Sequence, residues 1–230
     1  MMWNLIGGKT PFLGRLVVSC AVLGSAAALG SVGYSSYIQI RERELLRNED
    51  QPILNKLNSG TTAPLATRIA NQESLLLKIK DSIARTEAKR KLARLYGDLA
   101  TQKISLNELP KSEVALQRAM QLDPSNSRYV AQMGALYERS ATLQSEPDQK
   151  CVLYQSSAQY YRDASTLVAT EQDRIANLES AINGMLNAAR TLESQGLPER
   201  AISIMKRTLE WAPDQAQATK KVEAFISGQH

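Results

Sequence analysis

Few residues in this chain could do chemistry, and their spacing limits what they can attempt. His230, the last residue, is the only histidine among 230, so a histidine base or a His-rich metal site has nothing to be built from. Cys20 and Cys151 are the only cysteines, far apart, the first inside an apolar stretch. No Cys-x-x-Cys arises and an intramolecular disulfide is not expected. Neither Gly-x-x-x-x-Gly-Lys-[Ser/Thr] nor Gly-x-Ser-x-Gly occurs. "GGKT" at residues 7–10 copies only the end of a phosphate loop, without its upstream glycine or a preceding buried strand. Carboxylates such as Asp163 and Glu179 fall on helix faces read as solvated. The expectation is no enzyme activity, no catalytic residue, no metal, no cofactor and no small-molecule substrate.

What remains is the chemistry of binding. Lys78, Lys80, Arg85, Lys89, Arg90, Lys91 and Arg94 fall within 17 residues, against only Asp81 and Glu87. Such a cluster suits an acidic partner segment or anionic headgroups, or is a solvated helix face. The net charge of +5 does not announce nucleic acid. No acid occurs before Glu42, while Lys9, Arg15 and Arg41 contribute +3, leaving 25 basic and 23 acidic residues beyond.

The elements that position these residues read as helices throughout. Aromatics are scarce at 5%, helix formers dominate, and no stretch reads as a strand. Between Arg15 and Arg41 run 25 uncharged residues, "LVVSCAVLGSAAALGSVGYSSYIQI". About 20 apolar residues span a bilayer as a helix, so the expectation is one transmembrane helix at about 13–40 within a membrane anchor, 1–47. The alternatives are a signal peptide cleaved near "SAAA" and an organelle presequence over residues 1–15; a lipoprotein box ending at Cys20 is excluded, because only four residues separate it from Arg15. Ala21, Gly24, Ser25, Ala28, Ser31 and Ser35 form a smooth stripe suited to close packing against another membrane helix. The expected location is single-pass in a bacterial inner, thylakoid or organelle inner membrane, with the side of the soluble domain left open. The expected partners are proteins, at least one of them a membrane protein, and the lipid bilayer. A polar stretch, 48–64, with Gly60 and two prolines reads as a linker. Residues 65–230 read as a helical domain with helical periodicity from Leu65 onward.

Within that domain a unit recurs. In "SRYVAQMGALYERSA", Val130 is followed by Met133, Gly134 and Tyr137. In "AISIMKRTLEWAPD", Ala201, Met205, Thr208 and Pro213 are spaced as a second helix, preceded by "MLNAARTL" with Met185, Ala188, Ala189 and Leu192. "SEVALQRAMQLDP" repeats the second-helix pattern with Ser112, Leu116, Ala119 and Pro124, after "KLARLYGDLA" with Leu92, Ala93 and Tyr96. These motifs resemble the tetratricopeptide repeat over residues 85 to 215. The units run longer than that family's period, because Pro124 to Pro213 spans 89 residues, about 45 for each of two units.

The resemblance implies an all-α fold: a superhelix of about three helical hairpins, closed by a C-terminal capping helix at "DQAQATKKVEAFIS". It implies that Ala93, Gly134 and Ala189 are the small residues admitting a bulky neighbour, with Tyr137 and Ala201 packed beside them and Pro124 and Pro213 stopping second helices. It further implies an inner groove lined by Arg90 and Arg94, then Arg128, Ala131, Gln132 and Ala135, then Asn183, Asn187 and Arg190. The two-lysine, two-asparagine, one-arginine clamp of chaperone-binding members is not reproduced. The functional expectation is a membrane-anchored scaffold or adaptor for protein partners, within or assembling a membrane complex. The alternative is a permanent accessory subunit of a respiratory, photosynthetic or secretion complex.

Overall fold

A computed structural model describes residues 44, 46–53, 55, 63–211 and 216–228 of the chain. Every regular element among them is helical. Residues 46–53 form a helical segment, followed by α1 (Leu65–Leu76), α2 (Ser82–Ser105), α3 (Leu109–Leu122), α4 (Ser127–Leu143), α5 (Pro147–Leu167), α6 (Glu171–Ser194), α7 (Pro198–Leu209) and α8 (Ala216–Ile226). Connections of a few residues fold α2 on α3, α4 on α5 and α6 on α7 as three antiparallel hairpins. Successive hairpins start at Ser82, Ser127 and Glu171, so the period is 45 and then 44 residues. Helices pack mainly against their neighbours in sequence, which makes the described chain a helical-repeat stack.

Local chemistry repeats with the same period. Each first helix opens on a side-chain cap: Asp81 accepts from Ala84 N–H at 2.7 Å, Asn126 from Arg128 N–H at 3.2 Å, and Thr170 from Asp173 N–H at 3.1 Å. Each second helix opens instead on proline, at Pro110, Pro147 and Pro198, with no side-chain cap. Proline loses nothing there, because the first N–H groups of a helix have no intrahelical partner. Two of the intervening turns are closed alike. At Asn107 (φ 57°) and Gly196 (φ 75°) the backbone enters the left-handed region. The next N–H then reaches back to the helix, Glu108 to Lys103 O at 2.8 Å and Leu197 to Leu192 O at 3.0 Å.

The core is built for close approach. Ala93, Ala100, Ala119, Ala158, Ala188 and Ala189 are fully enclosed, and three glycines take the tightest crossings. A Cβ on Gly97 would stand 2.9 Å from the Tyr129 ring, and one on Gly134 would stand 2.9 Å from the ring of Tyr161. On Gly184 it would meet Ala158 Cβ at 3.1 Å and the Tyr154 carbonyl oxygen at 3.2 Å. Larger residues gather between these contacts. Leu116, Met133 and Leu136 join α3 to α4, and Tyr154, Met185, Leu192, Met205 and Phe225 join α5 through α8.

Helix lengths are unequal within hairpins. The 24-residue α2 pairs with the 14-residue α3, and the 24-residue α6 with the 12-residue α7. At 1.5 Å per residue, α2 overhangs α3 by roughly 15 Å. The N-terminal end of α2 is met instead by α1 and by the 46–53 segment, through Ile53, Leu75, Leu76, Ile79, Ala84 and Ala88. Buried Asp50 accepts from the N–H groups of Lys80 at 3.1 Å and Asp81 at 2.9 Å, placing a carboxylate at the positive end of α2. Residues 46–53, inside the stretch read from sequence as anchor end and linker, are therefore helical and docked.

One expectation is corrected. The single-pass membrane location is not upheld: among the described residues, no helix is long and apolar enough to cross a membrane. The longest, α2 and α6, have the length, but each carries charges along it, such as Arg85, Lys89 and Arg94 on α2 and Arg174, Glu179 and Arg190 on α6. Residues 13–40, with Ala21, Gly24, Ser25, Ala28, Ser31 and Ser35, lie outside the described residues.

Substitutions at Gly134, Gly196 and Asn107 test this packing. Gly134→Ala gains about 1 kcal/mol of helix propensity but drives a methyl into the Tyr161 ring, so it does not stabilise; Gly134→Leu lowers stability by about 3 kcal/mol in urea unfolding. In a Tyr161→Ala background the Gly134→Leu loss shrinks by more than half, and an undiminished loss would refute the ring-over-glycine contact. Gly196→Ala, with open space around it, costs about 1–2 kcal/mol through backbone conformation alone, whereas Asn107→Gly is neutral or stabilising.

Candidate functional site

The residues assigned to repeat packing are distributed as follows. Ala93 is enclosed with Ala119 and Tyr129 at the α2–α3–α4 junction, and Ala189 and Ala201 lie together in the core joining α5 to α8. Gly134 faces Tyr161 of its own hairpin. Tyr137 is half-buried; its ring stacks on Tyr160 at 5.3 Å between centroids and 18° between planes, and its hydroxyl donates to Glu113 at 2.8 Å. Tyr96 makes the same contact one unit earlier, donating to Glu73 of α1 at 2.7 Å. So α1 stands before α2 as α3 stands before α4, as the second helix of a preceding unit. Pro124 is exposed and follows Asp123, which ends α3 outside the helical conformation at φ −143° and ψ 75°. Pro213 lies outside the described residues. Gly97 and Gly184 perform the same task and were not singled out from sequence, although a glycine inside a helical pattern is itself the signal.

The groove residues divide into two groups. On α2 and α4, Arg94 and Arg128 both flank the phenol of Tyr129. Burial and the nearby Asp123 raise the Tyr129 pKa, and the two arginines oppose that rise. Gln132 bridges the same two helices: its amide donates to Thr101 Oγ1 at 3.3 Å, and that hydroxyl in turn donates to Gly97 O at 3.1 Å. The proton of Thr101 is thus already used, which fixes the orientation of the Gln132 amide. Its Oε1 is enclosed and has no hydrogen-bond partner. On α6 and α8, Asn183 accepts from Lys221 Nζ at 3.1 Å, with Asn187 half-buried and Arg190 exposed on the same helix as Asn183. Lys221, on the polar side of the last helix, was not assigned to the groove from sequence. Among the described residues, no hydrogen bond or ion pair joins the α4 group to the α6 group.

Arg90 sits apart, at one end of the stack. It lines a hollow of about 350 Å³ with Asp123, Ser125, Asn126 and Ser127 of the α3–α4 turn and Leu167, Val168, Ala169 and Asp173 around the α5–α6 turn. Both signs of charge meet there. No group of three or more His, Cys, Asp or Glu residues able to hold a metal occurs among the described residues, and Cys151 is buried as a free thiol. What these residues offer is amides, guanidinium groups and hydroxyls for non-covalent contact.

No protein-family description matches the chain, and no curated protein does. Solved structures similar to it include the N-terminal domain of stress-induced protein-1 from C. elegans, at 19% identity, covering 60% of this chain and 98% of that one with a TM-score of 0.38. A de novo designed helical repeat protein is similar at 18% identity, over 82% and 92% of the two chains, with a TM-score of 0.28. At these TM-scores neither likeness bears on function. The described fold itself defines the class: an all-α helical-repeat protein.

The tyrosine–glutamate pairing makes the stack sensitive to alkali. Burial, and then the hydrogen bond to Glu113, push Tyr137 up to about 12. Its neutral form is the one the fold favours, so its stabilisation is complete below pH 10 and is lost as pH rises from 10 to about 12. Urea midpoints are expected to fall across that interval, and Tyr137→Phe to flatten part of the fall. An identical pH profile in the variant would contradict the assignment.

Proposed function

We propose that the chain is a non-catalytic scaffold holding a segment of a protein partner along the face formed by its alternate helices α2, α4, α6 and α8. The observation that supports this reading is that polar side chains remote in sequence are tied across alternate helices. Gln132 reaches Thr101, 31 residues away, and Lys221 reaches Asn183, 38 residues away. A face of that kind presents donors and acceptors at intervals set by the helix spacing, about 8–10 Å, which suits an extended or helical segment better than a compact small molecule. The side chains with unspent hydrogen-bonding capacity, Arg94, Arg128, Asn187 and Arg190, lie on this face and supply positive and neutral polar contacts. A rigid platform lowers the ordering cost of binding, so modest contacts suffice.

A photo-crosslinking residue placed at Gln132, at Asn187 and, as control, at Gln117 on exposed α3 tests the reading in cells. The expected result is a discrete protein adduct from the first two positions and none from the third. Absence of adducts, or equal adducts from Gln117, would remove the scaffold assignment.

A further inference from the structure

The overhang of α2 concentrates charge in a way the rest of the stack does not. Residues 78–94 hold seven of the chain's 28 basic residues within 17 positions of 230. The two acids among them are already committed. Asp81 is buried as the cap of α2, and Glu87 pairs with Lys91 at 3.1 Å. Lys80 is likewise matched, by Glu49 at 3.3 Å. Lys78, Arg85, Lys89, Arg90 and Arg94 are exposed, and none has an ion-pair partner among the described residues. At about 100° per residue, Arg90 and Arg94 fall on the Ile83 side of α2, whereas Arg85 and Lys89 fall on another side; Arg90 and Arg94, without counter-ions among the described residues, are relieved by an anionic occupant.

Apolar surface lies in the middle of this charge. Leu77 is 79% exposed and Ile83 is 63% exposed. Ile83 borders a hollow of about 490 Å³ shared with Ser82, Thr86, Glu87 and Arg90. Ile83, Arg90 and Arg94 recur at helical spacing with Gly97 and Thr101, so this stripe of α2 continues into the face where Gln132 packs. The opposite side of the overhang is occupied by α1 and the 46–53 segment; this side is bare.

From this we infer that the overhanging end of α2 docks an acidic segment of the protein partner, whose one apolar side chain enters the hollow beside Ile83 while its carboxylates meet Arg90 and Arg94. The inference rests on the scaffold reading and names the chemistry of its partner. Charge complementarity selects an anion, and the exposed Ile83 with its hollow selects one that carries an apolar side chain. A nucleic acid would use aromatic platforms for its bases, and no aromatic residue lies between Leu77 and Arg94.

The test is fluorescence anisotropy with the full chain and a fluorescein-labelled, glutamate-rich 12-residue peptide carrying a central leucine. Its central-alanine version, phosphatidylserine vesicles and a single-stranded oligonucleotide serve as competitors. Expected are saturable binding of the leucine peptide and about threefold weaker binding of the alanine peptide. Arg90→Glu with Arg94→Glu should lose tenfold or more, Ile83→Ser about threefold, and 0.3 M salt should weaken binding steeply. Thermal unfolding of these surface variants should match that of the parent chain; Arg90→Gln with Arg94→Gln is the substitute pair if the first does not. No saturable binding, equal affinity for the two peptides, indifference to charge reversal, or displacement by vesicles or oligonucleotide in preference to peptide would each overturn the inference. Failure here with crosslinking at Gln132 and Asn187 intact leaves the scaffold standing, whereas failed crosslinking removes the scaffold itself.

Discussion

The whole stack depends on how closely consecutive helices approach. Tyrosine rings lie where a first helix has no side chain: Tyr129 over Gly97 and Tyr161 over Gly134. Each glycine costs its own helix about 1 kcal/mol relative to alanine. The return is a flat aromatic surface laid against backbone, burying far more apolar area than a methyl group does. At Gly184 the neighbour is backbone itself, with the Tyr154 carbonyl at 3.2 Å. These contacts set the spacing of the hairpins, and the spacing determines that Gln132 can reach Thr101.

Capping and proline placement give the stack its direction. First helices begin on Asp81, Asn126 and Thr170, and second helices begin on Pro110, Pro147 and Pro198. The two kinds of start leave the two ends of the stack chemically different. One end gathers capping oxygens, Asp123 and Arg90; the other gathers prolines and the left-handed turns at Asn107 and Gly196. Electrostatics follow that polarity. Asp50 and Asp81 both sit at the N-terminal end of α2, where the helix dipole favours negative charge, and the cations of α2 are displayed further along.

Much of this fold is legible in the residues. Gly134 is visible because a glycine in an amphipathic helix is unfavourable unless something presses on it, and Pro124 to Pro213 already contains the period later measured between hairpin starts. Gly97 and Gly184 carry the same signal, but matching to a family pattern placed the small residue at Ala93 and Ala189 instead. Asn107 before a proline-led helix is readable as a left-handed stop. Asp50 is not readable: its partners lie 30 and 31 residues away, and only the folded chain brings them together. The groove is legible as a set of faces but not as a set of pairs. Arg94 and Arg128 share Tyr129, and Asn183 finds Lys221, because helix crossing distances, absent from any one-dimensional pattern, decide which side chains meet.

The succession of contacts from one helix to the next has a thermodynamic corollary. Cooperativity in such an array travels through intermediaries, so the rim helices fray at lower free energy than the centre, and the middle of the chain can persist while its ends open. An occupant lying across α2, α4 and α6 would add links between elements that otherwise communicate chiefly through α3 and α5. Ligation would then lengthen the cooperative unit as well as raise its stability, and the breadth of the melting transition, beyond its midpoint alone, would report occupancy.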